Sequence, residues 1–150
     1  EICACLVGSE MCIRDSFMQS IYKKYGLYLN TLLNFGFEGA AGMKKMAEMM
    51  DSLRADGLKN IAGMDVITSS DYEASIETNL KTGEKAKITL PKSNVLAYTL
   101  EGGNSVIVRP SGTEPKIKIY ITAVGNTRDE AKTVTDKISD DMEKILGIKN

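Results

Sequence analysis

Histidine is absent from the 150 residues. That excludes a histidine general base, a Ser-His-Asp triad and a histidine metal site. Cysteine is scarce and confined, with Cys3, Cys5 and Cys12 all near the start of the chain and none after them. A disulfide framework spread through a fold is thereby excluded, which fits a cytoplasmic setting. Excess charge of one sign is lacking too: 19 Lys and Arg stand against 20 Asp and Glu, a net charge of -1. The balance gives no electrostatic reason to expect nucleic acid or an acidic membrane as partner. There is no apolar run long enough to span a bilayer, no internal repeat and no low-complexity tract.

What is present is ordinary globular material, 43% hydrophobic and 26% charged, at a length that suits one domain with a real core. Residues 1–16 show no period and lack the basic start and apolar run of a secretory signal, so they read as a non-native leader outside the fold. Over residues 17–26, Met18, Ile21, Tyr22 and Tyr25 share a helical face that Gly26 can close. That face packs either on this domain or on one that precedes it. Residues 27–37 predict a strand, and the Met43, Met46, Ala47, Met50 and Leu53 spacing predicts an amphipathic helix over about 40–54. A short strand follows over residues 64–68.

Residues 69–94 are the most polar stretch. They read as a long connection with an edge strand near Ile88 and Leu90 that Pro91 ends, and with Asp71, Glu73 and Glu77 as solvated charges. Strands are then predicted over 95–101, 105–109 and 116–124, successive members of an antiparallel meander. Thr127 and Glu130 form a capping box for a final helix over about 127–146, whose stripe is Ala131, Val134, Ile138, Met142 and Ile145. The fold class is α+β: an antiparallel sheet of about four strands with two helices packed on one face, and residues 27–150 as the domain.

The most informative stretch joins two of these strands, Arg109-Pro110-Ser111-Gly112-Thr113-Glu114-Pro115-Lys116. Its prolines remove their own N–H groups and leave the amides of residues 111–114 free to point into a concavity, with Gly112 permitting a tight or left-handed turn. Ser111 and Thr113 add hydroxyls, and Arg109 and Lys116 flank the turn. Arg109, Lys116 and Lys118 set three bases against one acid, Glu114, which opposes an anion unless it faces away. The result is a candidate phosphate cradle. The same composition also fits a plain solvated hairpin loop.

This loop resembles the phosphate-binding loop in the C-terminal domain of the phosphohexomutases, the phosphoglucomutase and phosphomannomutase family. Leu90-Pro91-Lys92-Ser93-Asn94-Val95-Leu96 and Phe37-Glu38-Gly39-Ala40-Ala41-Gly42 resemble the same family, more its phosphoglucomutase-like branch. The likeness runs from about Phe17 to Leu146. It implies that Arg109, Ser111, Gly112 and Thr113, with Lys116 as a direct or supporting contact, bind the phosphate of a hexose phosphate that is not being transferred. Glucose 1-phosphate and glucose 6-phosphate, or their mannose equivalents, are the implied partners, together with the other domains of a parent chain.

In the family, a phosphoserine of the first domain carries out the transfer and Mg2+ assists. Those loops have no counterpart here. The resemblance therefore implies no catalytic residue and no metal ligand in this chain, a chain inactive by itself, and residues 17–26 as the terminal helix of a missing preceding domain. An alternative of another class is a non-catalytic module binding single-stranded RNA or another anion, with Tyr98 and Tyr120 as an aromatic platform on the open sheet face. A third is a truncated reading frame without a function of its own.

Overall fold

The computed structural model describes residues 16–22, 24–37 and 39–148. The expected leader over residues 1–16 lies outside the described residues except for Ser16, which is helical, and the Glu38 position of the resemblance lies outside them too. Residues 16–22 and 24–25 are helical, and the Gly26 N–H closes the turn on Tyr22 O at 2.9 Å.

The strands are β1 (Leu27–Gly36), β2 (Asn60–Ile61), β3 (Met64–Asp71), β4 (Ile76–Asn79), β5 (Lys85–Lys87), β6 (Leu96–Leu100), β7 (Ser105–Pro110) and β8 (Lys116–Gly125). The helices are α1 (Gly39–Asp56) and α2 (Arg128–Ile145). The sheet runs β1-β8-β7-β6-β3-β4-β5, with β2 paired to β3, and every pairing is antiparallel.

The α+β class, the meander and the helix layer are as the sequence predicts, but the sheet has 8 strands where about four are expected. Part of the surplus is β2, a two-residue strand at Asn60–Ile61, and part comes from the polar stretch. β3 continues to Asp71, β4 pairs with it, and the edge strand is Lys85–Lys87 instead of residues 88–90. All three residues of β5 are exposed. A strand with no buried face has no period for a sequence reading to detect.

One face of the sheet is closed and the other open. In register, Leu33, Ile119, Val108 and Leu96 lie in one row, and Thr31, Ile121, Val106 and Tyr98 in the next. Ile117, Ile119, Ile121, Val106, Val108, Leu96 and Tyr98 are buried there with Met46, Met50 and Leu53 of α1 and Ile138 and Met142 of α2. The row between them, Leu32, Tyr120, Ile107 and Ala97, faces the other way; the first three are exposed. Period-2 alternation thus sorts β8 into buried isoleucines and outward Lys118 and Tyr120.

The buried helix stripes are narrower than the sequence reading. Met43, Ala47 and Ile145 are exposed, and Leu146 and Thr135 fill the places expected of apolar stripe positions. Thr135 is buried without an unpaired donor because its hydroxyl donates to Ala131 O at 2.9 Å. The cap forms as expected: Thr127 Oγ1 accepts from Glu130 N at 3.2 Å, while the Glu130 carboxylate reaches back to the Asn126 N–H at 3.0 Å.

Tyr98 and Tyr120 lie on opposite faces, so they form no common platform. Tyr98 is 1% exposed, and its hydroxyl donates to Leu53 O at 3.4 Å. Burial, and then the neighbouring Asp71 charge, pushes its pKa up to about 12, with Arg54 acting the other way. A phenol held neutral in the fold stabilises fully below its unfolded pKa of about 10. That contribution is lost as pH rises through about 10 to 12, because the unfolded chain ionises first. We expect the denaturation midpoint to fall over this window and the fall to flatten in Tyr98→Phe; an equal fall in both proteins would contradict the assignment.

Candidate functional site

Three chain segments meet at one end of the sheet because the register brings them there. Gly36 pairs with Lys116, Pro110 with Ile117, Val108 with Leu96, and Leu96 with Asp71. The loop 110–116, the segment 90–95 leading into β6 and the entry to α1 therefore share that end. A direct bond joins two of them: Phe37 N–H donates to Pro115 O at 2.7 Å. Gly42 explains the tightness of the entry, since a Cβ there would stand 2.6 Å from Phe37 Cβ. Any larger residue would push α1 away from the loop.

Within the loop, the backbone closes on itself once at each side. Ser111 N–H donates to Lys116 O at 2.7 Å, and Lys116 N–H donates to Glu114 O at 2.7 Å. The Ser111 amide is thus engaged, contrary to the expectation of four free donors. Among the described residues no protein acceptor takes the N–H of Gly112, Thr113 or Glu114. All three residues are exposed.

Gly112 does not have the left-handed backbone expected of it, as it is absent from the positive-φ glycines. A Cβ built on it would meet nothing within 4 Å. Neither backbone conformation nor crowding within this chain requires glycine at that point.

The charges sort themselves by distance. Glu114 Oε2 is 3.1 Å from Lys116 Nζ, both groups partly exposed. The pair is worth little in stability, but it turns the one acid of the loop toward a base. Arg109 is exposed and makes no ion pair among the described residues. Its register partner is Lys118, so the two cations stand side by side on the open face. Lys118 is the residue that sequence reasoning counted as charge but left out of the site. The usable signal was its parity with Lys116 on either side of the buried Ile117. The candidate cradle then comprises three amides without an acceptor among the described residues, the Ser111 and Thr113 hydroxyls, and the Arg109 and Lys118 cations, with Lys116 paired to Glu114.

The segment 90–95 is held by a separate polar cluster around Arg54, in the last turn of α1. Arg54 Nη2 donates to Asn94 Oδ1 and pairs with Glu73 Oε2, and its Nη1 lies 3.4 Å from Asp51 Oδ1. The buried Nε stands 3.3 Å from Asp71 Oδ2 without hydrogen-bond geometry. Asp71 also accepts from the amides of Glu73 and Ala74 at 2.9 and 3.3 Å, and Ser70 Oγ donates to Glu77 at 3.0 Å. Asp71, Glu73 and Glu77, expected as solvated charges, are therefore partnered; a partner 17 residues away in sequence leaves no local trace. Backbone bonds complete the clamp, from Tyr72 N to Val95 O and from Ser93 N to Tyr72 O.

Among the described residues no group of three or more Asp, Glu, Cys or His side chains is arranged to hold a metal ion. The carboxylates gathered at Arg54 are engaged by its guanidinium. Among the described residues no helix is long and apolar enough to cross a membrane.

Comparison with known proteins converges on one family. The profile of the phosphoglucomutase/phosphomannomutase C-terminal domain matches residues 40–141, a stretch that includes the loop. The phosphoglucomutase of Staphylococcus saprophyticus is 38% identical over 113 residues, covering 75% of this chain and 20% of that protein. The phosphoglucomutase of Staphylococcus epidermidis is 33% identical over 123 residues, 82% of this chain and 22% of that protein. This chain thus spans about a fifth of the length of these curated relatives. Among solved structures, pp63/parafusin, a phosphoglucomutase from Paramecium in its open form, shares the fold with a TM-score of 0.53 at 17% identity. That alignment covers 85% of this chain and 21% of the Paramecium chain.

The Arg54 cluster generates a measurable expectation. Arg54→Met leaves Asp71 and Glu73 facing each other and strips Asn94 of its donor, so unfolding free energy should drop by about 1–3 kcal/mol in denaturant titration. A loss under about 0.5 kcal/mol, the scale of an ordinary surface substitution, would show that the cluster holds nothing in place.

Proposed function

Because this chain belongs to the phosphoglucomutase/phosphomannomutase family and carries its C-terminal domain, we propose that Arg109 and loop 110–116 bind the phosphate of a hexose phosphate that is not being transferred. The observation that carries this reading is that, among the described residues, the amides of Gly112, Thr113 and Glu114 have no acceptor and the neighbouring Arg109 has no ion-pair partner. Backbone N–H groups and a guanidinium grip a phosphate dianion while reading little of what it is attached to. A mutase that moves phosphate between two ends of a sugar needs a grip of that kind, able to accept either end. Gly112 supports the same reading: with nothing of this chain near its Cβ position, the missing side chain leaves room for a ligand to approach the backbone.

The parent reaction follows as part of the proposal. A phosphoserine elsewhere in the whole protein exchanges its phosphoryl group with glucose phosphates, or their mannose equivalents, through a bisphosphorylated intermediate. This chain's share is binding and orientation. Held at a rigid hairpin end, the far phosphate positions the reacting end, and remote binding energy lowers the barrier to transfer. Ser111 N–H, closed on Lys116 O, fixes the width of the loop, and Lys116 serves by neutralising Glu114 beside the anion. Lys118 adds a second cation next to Arg109.

The Mg2+ that the family implies finds no fitting donor set among the described residues, so no step here runs through it. The exposed Phe17, Met18 and Tyr25 we assign to contact with a preceding domain, and the parent to the cytoplasm.

Titration with inorganic phosphate, followed by backbone amide NMR, tests the assignment. Shifts should concentrate at residues 112–114, with a dissociation constant on the order of millimolar, as one anion site must offset association entropy unaided. Arg109→Ala and Gly112→Ala should each weaken binding several-fold while leaving the melting temperature unchanged. Shifts confined elsewhere, or none at about 50 mM phosphate, would remove the reading.

A further inference from the structure

The two edges of the sheet are built in opposite ways. β5 is three exposed residues, Lys85–Lys87, two of them lysines, a short charged edge that discourages further pairing. β1, at the other edge, is ten residues long, LYLNTLLNFG, without a charge or a proline. Its register with β8 runs unbroken over all ten positions. None of its residues makes a backbone hydrogen bond to any other described element. Alternate N–H and C=O groups along the outer side of β1 therefore have no backbone partner among the described residues, and the strand itself carries none of the charges or prolines that usually protect an edge.

We infer that β1 pairs antiparallel with β1 of a second copy of this chain, joining two sheets across a two-fold axis. Outward-pointing backbone groups recur every second residue, so antiparallel pairing demands that facing residues share parity. The axis then passes through a residue, and Thr31 and Leu32 are the central ones. With the axis at Thr31, the helix-side pairs are Leu27 with Phe35, Leu29 with Leu33, and Thr31 with its own copy. The open-face pairs are Tyr28 with Asn34 and Leu32 with Asn30. No charge meets a charge anywhere along the strand, whereas a β5 pair would oppose lysines.

Shared parity also keeps both helix layers on one side and extends the exposed Leu32–Tyr120–Ile107 row across the joint. The two loops 110–116 fall at opposite ends of the assembly. Because β5 is guarded, growth stops at two copies: the interface is isologous and closed.

Sedimentation velocity of the 150-residue chain tests this. The wild-type chain should sediment as a dimer at about 10–100 µM. Leu32→Lys places lysines at or beside the axis and should raise the dissociation constant at least tenfold, as should Asn30→Lys, with circular dichroism reporting that each variant still folds. Ala86→Lys on β5 should leave the dimer intact. A wild-type monomer at about 100 µM, a dimer indifferent to both β1 lysines, or growth past two copies would each overturn the inference.

Discussion

β8 is the constraint on which the rest of the molecule depends. It is paired to β1 over all ten residues and to β7 over residues 117–122, and its inward residues Ile117, Ile119, Ile121 and Ala123 are completely or almost completely buried. A strand fixed by two ladders and a sealed face cannot slip by one residue, because a slip would turn every isoleucine outward and every lysine and tyrosine inward. The loop preceding it inherits that fixity. Pro110 and Lys116 stand where the ladder puts them, and the α1 entry is tied to Pro115 by the Phe37 amide. Packing thus places the loop, while the loop's own hydrogen bonds only set its width.

The electrostatics of that sheet end divide into two kinds. Around Arg54 every charge has a partner, and the arrangement holds backbone segments together. Around Arg109 the cations and the amides face solvent without acceptors, the condition an anion site requires before its ligand arrives. Lys116 belongs to the first kind even though its place in the loop motif suggested the second, because its ammonium is paired with Glu114 at 3.1 Å.

Much of this was legible in the sequence where burial imposes a period. The strands 95–101, 105–109 and 116–124 and the last helix were found within a residue or two, since alternating isoleucines and a capping threonine leave local marks. Tyr98 was misplaced beside Tyr120, although its parity with the apolar Leu96 and Leu100 already argued for the closed face. β4 and β5 escaped because neither has a consistently buried side. The loop's donors and charges were readable from residue types, but two details were not: the Ser111 amide is occupied, and Lys118, not Lys116, stands beside Arg109. Both follow from strand register, which pairs residues far apart in sequence. The partners of Asp71 and Glu73 were hidden for the same reason.

The Arg54 cluster also carries a consequence for how such a chain can diverge. One guanidinium answers to Asp51, Asp71 and Glu73 at once, so the four positions are not independent. Losing the arginine first leaves uncompensated acids, whereas losing Asp51 or Glu73 first is mild, since two acids remain; Asp71 also accepts the Glu73 and Ala74 amides, so its mild replacement is asparagine. Drift through this cluster therefore has a preferred order, with the acids changing before the arginine, and homologues that lack arginine at position 54 should carry neutral residues at 71 and 73.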